Sequence, residues 1–213
     1  MIDFINPDRN KIALDTDVYF NLAVIYSNDY FDYLEGYTSE PDIMNYISSI
    51  IRGRDLVSIQ TVFEEFGRKQ ITLREERGLD RTSVENIRKF IKYGSSLVYN
   101  LDPKYNNSLG VDSKEKNDNA IAITCGTNGI GNFATCNSDD FVKTFKRIGI
   151  PKSYRLIKVL PSLKRSFMIN WINESFYNPI SEFVGKMKNP NSMSGKLLKF
   201  IESIFKNKHL INS

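Results

Sequence analysis

Lys11-Ile12-Ala13-Leu14-Asp15-Thr16-Asp17-Val18 is the stretch on which the fold turns. Four residues of mostly apolar character run directly into three polar ones. A short apolar run bounded by turn chemistry reads as a buried strand. Asp17 or Thr16 then caps a helix that begins near Val18 and continues to Ile25. The same grammar recurs outward along the chain. Leu56-Val57-Ser58-Ile59 reads as a strand, and Thr61 to about Arg74 as the helix after it. Phe133 to Cys136 reads as a strand ending at Asn137-Ser138-Asp139-Asp140, with a helix from Phe141 to Ile148. Tyr154 to Leu160 reads as a further strand. Alternating strand and helix predicts an α/β fold around a mainly parallel sheet.

Other segments fill the gaps. Pro41 to Arg52 carries Ile43, Met44, Ile47, Ile50 and Ile51 at helical spacing. Arg81-Thr82-Ser83 opens a helix with Val84, Ile87, Phe90 and Ile91 on one face. Ser96 to Leu101 is a short strand or a helix end. Asp102 to Lys116 is polar and contains Pro103 and Gly110, so it reads as a loop. Asp118 then begins a small helix that reaches Cys125. Past Pro161 the pattern changes: Leu163 to Phe176, Ile180 to Met187 and Met193 to Phe205 read as helices. The expected organisation is a domain over residues 1–160 and a basic helical C-terminal extension over 161–213.

The bulk numbers exclude several chemistries. The chain has 213 residues, 41% hydrophobic and 25% charged, enough for an ordinary core. No apolar run approaches the ~20 residues of a membrane span, and the N-terminus lacks a signal-peptide pattern. The expected setting is cytoplasmic, with no membrane partner. Cys125 and Cys136 show no paired metal-ligand spacing. The single histidine, His209, lies near the C-terminus, which disfavours histidine-based nucleophilic catalysis and histidine-rich zinc sites. Carboxylates holding a hard metal remain. Charge is uneven: residues 151–213 carry 11 Lys/Arg against 3 Asp/Glu, and the rest carries 18 against 22. Such a basic segment suits a phosphate backbone, with Lys186, Lys188, Lys196 and Lys199 as candidate contacts.

The acidic residues gather at informative places. In parallel sheets, ligands bind beyond the carboxyl ends of the strands. Asp15 follows the first strand, Glu65 lies one turn into the helix after the second, and Asp139 and Asp140 follow the Phe133–Cys136 strand. Asp118, at a helix start, also suits capping. Glu64 and Glu65 separate by angle. At ~100° per residue, Val62 and Phe66 lie ~40° apart and mark the buried face. Glu65 falls at its edge and Glu64 nearly opposite.

Four motifs in order resemble the PIN-domain family. Ile12 to Val18 looks like its opening apolar-Asp-Thr-Asn motif, with Asp17 where Asn is frequent. Val62-Phe63-Glu65-Phe66 resembles the second motif, and Asp118-Asn119-Ala120-Ile121-Ala122 the third. Thr135-Cys136-Asn137-Ser138-Asp139-Asp140-Phe141 resembles the fourth, with Asn137 where some members carry Asp. The resemblance covers roughly residues 11 to 160. It implies a PIN-like three-layer sandwich and a nuclease that depends on Mg²⁺ or Mn²⁺ and cleaves RNA in preference to DNA. It implies Asp15 and Asp118 as central ligands and catalytic groups, with Glu65 and Asp140 (or Asp139) completing the cluster. Thr16, Asp17, Thr135 and Asn137 would support them. The family includes VapC-like toxins, usually shorter than this chain, which brings in a protein inhibitor or antitoxin as a candidate partner; many PIN folds pair as dimers, which brings in a homodimer.

Two other readings stand beside it. One is a non-catalytic PIN-fold adaptor that binds nucleic acid or protein. The other is a haloacid-dehalogenase-like phosphatase, with Asp15 as nucleophile and Asp17 as acid/base. That family expects Gly-Asp before its last metal acid, where this chain has Cys136-Asn137-Ser138.

Overall fold

The computed structural model describes residues 2–25, 54–75, 98–110, 113–160, 165–170 and 175–179, together with positions 81, 84, 85 and 88. The strands are β1 (Asp8–Leu14), β2 (Asp55–Ile59), β3 (Val98–Tyr99), β4 (Ile130–Thr135), β5 (Arg155–Leu160), β6 (Arg165–Asn170) and β7 (Ser175–Pro179). The helices are α1 (Thr16–Ile25), α2 (Gln60–Glu75), α3 (Ser113–Thr127) and α4 (Ser138–Ile148). A 3-10 helix, Pro103–Ser108, precedes α3; Asp102 caps it by accepting from Lys104 N–H at 3.1 Å.

The architecture is α/β. Strand order is β3-β2-β1-β4-β5-β6-β7, and the first five strands run parallel. Strands with helices on both sides need apolar residues on both faces. That is why Ile12-Ala13-Leu14, Leu56 to Ile59 and all of β4 are buried without alternation. β1 lies at the centre. From it the chain builds β2 and β3 to one side, then crosses over to build β4 and β5 on the other. The switch point therefore falls between the carboxyl ends of β1 and β4, the place where open α/β sheets bind ligands.

Local chemistry sets this seam. β1 bulges between Asp8 and Ile12 against β4. Asn132 Nδ2 fills the irregularity by donating to the carbonyls of Arg9 and Lys11, both at 2.8 Å. Gly131 is required beside it, because a Cβ there would meet Asp8 O at 2.5 Å. Behind the seam Phe133, Phe141 and Phe145 pack with ring centroids 4.6 to 6.5 Å apart. α4 ends at Gly149, whose φ of 78° is left-handed and lets its N–H reach back to Phe145 and Lys146.

Two sequence expectations need correction. Within the helix expected from Leu163 to Phe176, residues 165–170 and 175–176 are strand, since β6 and β7 extend the sheet as antiparallel strands. The unpaired edge of β5 supplies the reason: Leu156 to Leu160 pair with Ile169 to Arg165, satisfying backbone groups that a helix would leave open. The four-residue connections on either side have hairpin length. The helices expected at 180–187 and 193–205, and that expected at 41–52, lie outside the described residues. The second correction concerns Asp118. Its helix starts at Ser113, five residues earlier than the sequence suggests. Lys114, Glu115 and Lys116 are good helix formers. Asp118 therefore lies inside α3 and is not its cap. Positions 81, 84, 85 and 88 are helical, and Val84 is buried as its place on the apolar face predicts. Among the described residues, no helix is long and apolar enough to cross a membrane.

Candidate active site

The floor of the site is the β1–α1 junction. Asp15 N–H donates to Ala134 O at 2.8 Å, so the sheet ladder itself carries Asp15 beside β4. The Asp15 carbonyl accepts from Val18 and Tyr19 and opens α1. Asp15 is only 6% exposed. Oδ1 accepts from Thr16 N–H at 2.7 Å and Oδ2 from the Thr135 hydroxyl at 2.8 Å. Asp17, two residues on, accepts from Cys136 N–H at 3.1 Å and Asn137 N–H at 2.9 Å. Thus the backbone at the end of β4 clamps a carboxylate from the start of α1.

Thr135 joins the two acids. Its Oγ1 lies 2.8 Å from Asp15 Oδ2 and 3.2 Å from Asp17 Oδ2, and it accepts from Asn137 N–H at 3.0 Å. One hydroxyl has one proton, so it cannot donate to both carboxylates. The electrostatics follow. Burial, then the neighbouring Asp17, hold the Asp15 carboxyl well above the usual aspartate range, against the lowering pull of Thr135 and Thr16. Burial also raises Asp17; the Cys136 and Asn137 amides, Thr135 and the Lys69 ammonium pull the other way.

The walls come from helices. α2 contributes Glu65, whose Oε2 accepts from the Thr16 hydroxyl at 2.9 Å and whose Oε1 pairs with Lys69 Nζ at 2.8 Å. Glu64 is exposed and takes a bond from Gln60 Nε2 at 2.9 Å. α3 contributes Lys116, Asn117 and Asp118. Asn119 anchors that turn: Nδ2 donates to Leu109 O at 2.8 Å, and Oδ1 accepts from Arg147 at 2.8 Å. Arg147 also pairs with Glu115 at 3.0 Å, tying α3 to α4. Together Asp15, Thr16, Asp17, Glu65 and Asp118 line a pocket of about 560 Å³ with Asn137, Phe141 and the cations Arg68, Lys69 and Lys116.

The fourth acidic position divides. Asp140 stands just outside the lining and accepts from Asn137 Nδ2 at 2.7 Å. Asp139 is 83% exposed, lies 3.8 Å from Lys158 Nζ, and does not line the pocket. Asp139, expected among the metal ligands, is the second residue of α4 and faces solvent. Lys186, Lys188, Lys196 and Lys199 lie outside the described residues. Arg68, Lys69, Lys116 and Asn117 were not singled out from the sequence. The spacing of Glu65 and Lys69, four apart on a helix, was the one available signal.

Hard oxygen donors of this kind suit Mg²⁺ or Mn²⁺ in chemistry. The side chains as they stand are not gathered around an ion: among the described residues, no three His, Cys, Asp or Glu side chains are placed to hold one. The bonding accounts for Glu65, both of whose oxygens are already engaged by Thr16 and Lys69.

Compared with protein-family models, curated proteins and solved structures, the chain shows no match.

Proposed function

We propose that this chain is a divalent-metal-dependent nuclease with a PIN-like arrangement, hydrolysing phosphodiester bonds in RNA in preference to DNA. One observation carries the reading. Asp15, Asp17, Glu65, Asp118 and Asn137, drawn from four motifs spread over more than a hundred positions, line one pocket at the switch point of a parallel sheet. Asp15, Glu65 and Asp118, with Asp140 behind Asn137, are the residues that would hold Mg²⁺ or Mn²⁺. Such an ion supplies Lewis-acid polarisation of a phosphoryl oxygen and a water of lowered pKa.

The chain's own groups have separate duties in this reading. Thr16 and Thr135 orient Asp15 through its two oxygens. The amides of Cys136 and Asn137 hold the Asp17 carboxyl in place. Arg68 and Lys116 present cations at the pocket wall, suited to phosphates flanking the scissile bond. The phosphatase alternative is less well supported. It needs Asp15 poised to attack and Asp17 able to exchange protons, yet hydrogen bonds engage both carboxylates from several sides.

The test uses labelled single-stranded RNA and DNA with Mn²⁺, Mg²⁺ or EDTA, beside Asp118→Asn. RNA cleavage with either ion, absent in EDTA and reduced at least roughly a hundredfold (about 2.7 kcal/mol) by the substitution, is expected. Cleavage that survives EDTA or Asp118→Asn overturns the mechanism. RNA binding without cleavage in the wild type identifies the adaptor instead, and an aspartyl-phosphate on Asp15 the phosphatase.

A further inference from the structure

The Glu65–Lys69 pair differs from an ordinary surface pair on a helix. Both residues line the carboxylate pocket. Their side chains are 20% and 42% exposed, so the contact is partly withdrawn from solvent. The ammonium approaches Glu65 Oε1 to 2.8 Å, while Thr16 holds Oε2 at 2.9 Å. Glu65 therefore has a proton donor on each oxygen, and one of those donors is a full positive charge. The same ammonium is near enough to Asp17 to lower its pKa. Arg68, the adjacent cation, also lines the pocket, but no contact with Glu65 is among the bonds of the described residues.

We propose that Lys69 is the built-in counter-ion of this site, and that a divalent cation binds by displacing its ammonium from Glu65. This rests on the nuclease reading above. A carboxylate cluster with no cation repels itself. Lys69 relieves that repulsion in the empty site and so opposes metal entry. The ammonium stays tethered within the pocket after release, at the end of its four-carbon stem. The consequence is a raised threshold: the site fills only when free divalent ion is sufficient to compete with a charge the protein carries itself. A simple helix-stabilising pair would have no such consequence.

Isothermal titration of MnCl₂ into the metal-free full chain tests this. Lys69→Met and Lys69→Gln are expected to tighten Mn²⁺ binding about fivefold, the upper yield of a partly exposed ion pair. Arg68→Gln removes an equal charge from the same wall without touching Glu65, and is expected to change affinity less than about twofold. In the wild type, NMR of the lysine side chains during Mg²⁺ titration is expected to move the Lys69 ε signals toward those of a solvated lysine. Unchanged Mn²⁺ affinity in both Lys69 variants overturns the proposal. So does an equal effect of Arg68→Gln, which would signify a diffuse field and not displacement. So do Lys69 signals that stay fixed while Mg²⁺ binds. Wild-type protein that binds no Mn²⁺ takes down the nuclease reading with it, whereas binding that ignores Lys69 removes only this inference.

Discussion

The strand side of the pocket and its helix side hold their carboxylates by different means. Asp15 and Asp17 are gripped by backbone amides of residues 16, 136 and 137, and those amides belong to the ends of β1 and β4. Glu65 is held by two side chains, Thr16 and Lys69, and rides on a helix. The first arrangement is as rigid as the sheet. The second changes with a rotamer. The floor is thus set before any ligand arrives, at the cost of holding two acids close together, one buried and one partly buried, while the wall is left adjustable. Sites that must desolvate a ligand yet admit it need both properties.

Substitutions can break or sharpen this contrast. The largest expected effect is on catalysis. Asp15→Asn should lower RNA cleavage about a thousandfold or more, near 4 kcal/mol, and Glu65→Gln by roughly ten- to a hundredfold. Initial rates in Mn²⁺ check this, and equal losses would erase the distinction between floor and wall. Next comes stability. Thr135→Val strips the buried Asp15 Oδ2 of its hydroxyl donor and should cost about 2–3 kcal/mol in urea unfolding. Thr16→Val, acting on the partly exposed Glu65, should cost under about 1 kcal/mol. A reversal of that order would place the rigid side on the helices.

A third effect has the opposite sign. The folded chain holds a proton on Asp15 to higher pH than the unfolded chain does, because burial raises that carboxyl. The stability this contributes is complete below the ordinary aspartate value of about 3.9 and is lost as pH rises through the raised folded value. Asp15→Asn avoids the loss. It should therefore stabilise the protein at pH 7 by about 1–3 kcal/mol, with the gain fading below about pH 4. Thermal unfolding of both proteins across that range measures it; a gain independent of pH would mean that charge is not its source. The smallest effect belongs to Asp139→Asn. With its carboxylate in solvent, cleavage should stay within about twofold and stability within about 0.5 kcal/mol.

Much of this floor was legible in sequence because its determinants are local. A parallel strand buried on both faces must read as an unbroken apolar run, so Ile12 to Leu14 and Leu56 to Ile59 announced themselves. Asp15 follows directly from where the first run stops. The choice of Glu65 over Glu64 for the pocket needed only the helical angle from Val62 and Phe66, both now seen buried. The start of α3 was misread because a polar first turn looks like a loop, and its Lys and Glu propensities were too weak a counterweight.

What only the tertiary structure decided is what depends on partners distant in the chain. Residues 165–170 and 175–179 carry apolar groups at spacings that fit either element; the open edge of β5 makes them strands, and no local pattern encodes an edge. Asp139 and Asp140 are neighbours of identical type, and the placement of Asn137 and Lys158 separates them. No local pattern sets Lys69 apart from other helix lysines; the packing that brings Asp17 near it does. By itself the sequence determined that Asp15 ends a buried strand and that Glu65 faces inward, because periodicity and burial act over a few residues. Which charges meet across the pocket depended on long-range packing of β1 against β4 and of α2 against α1 and α3.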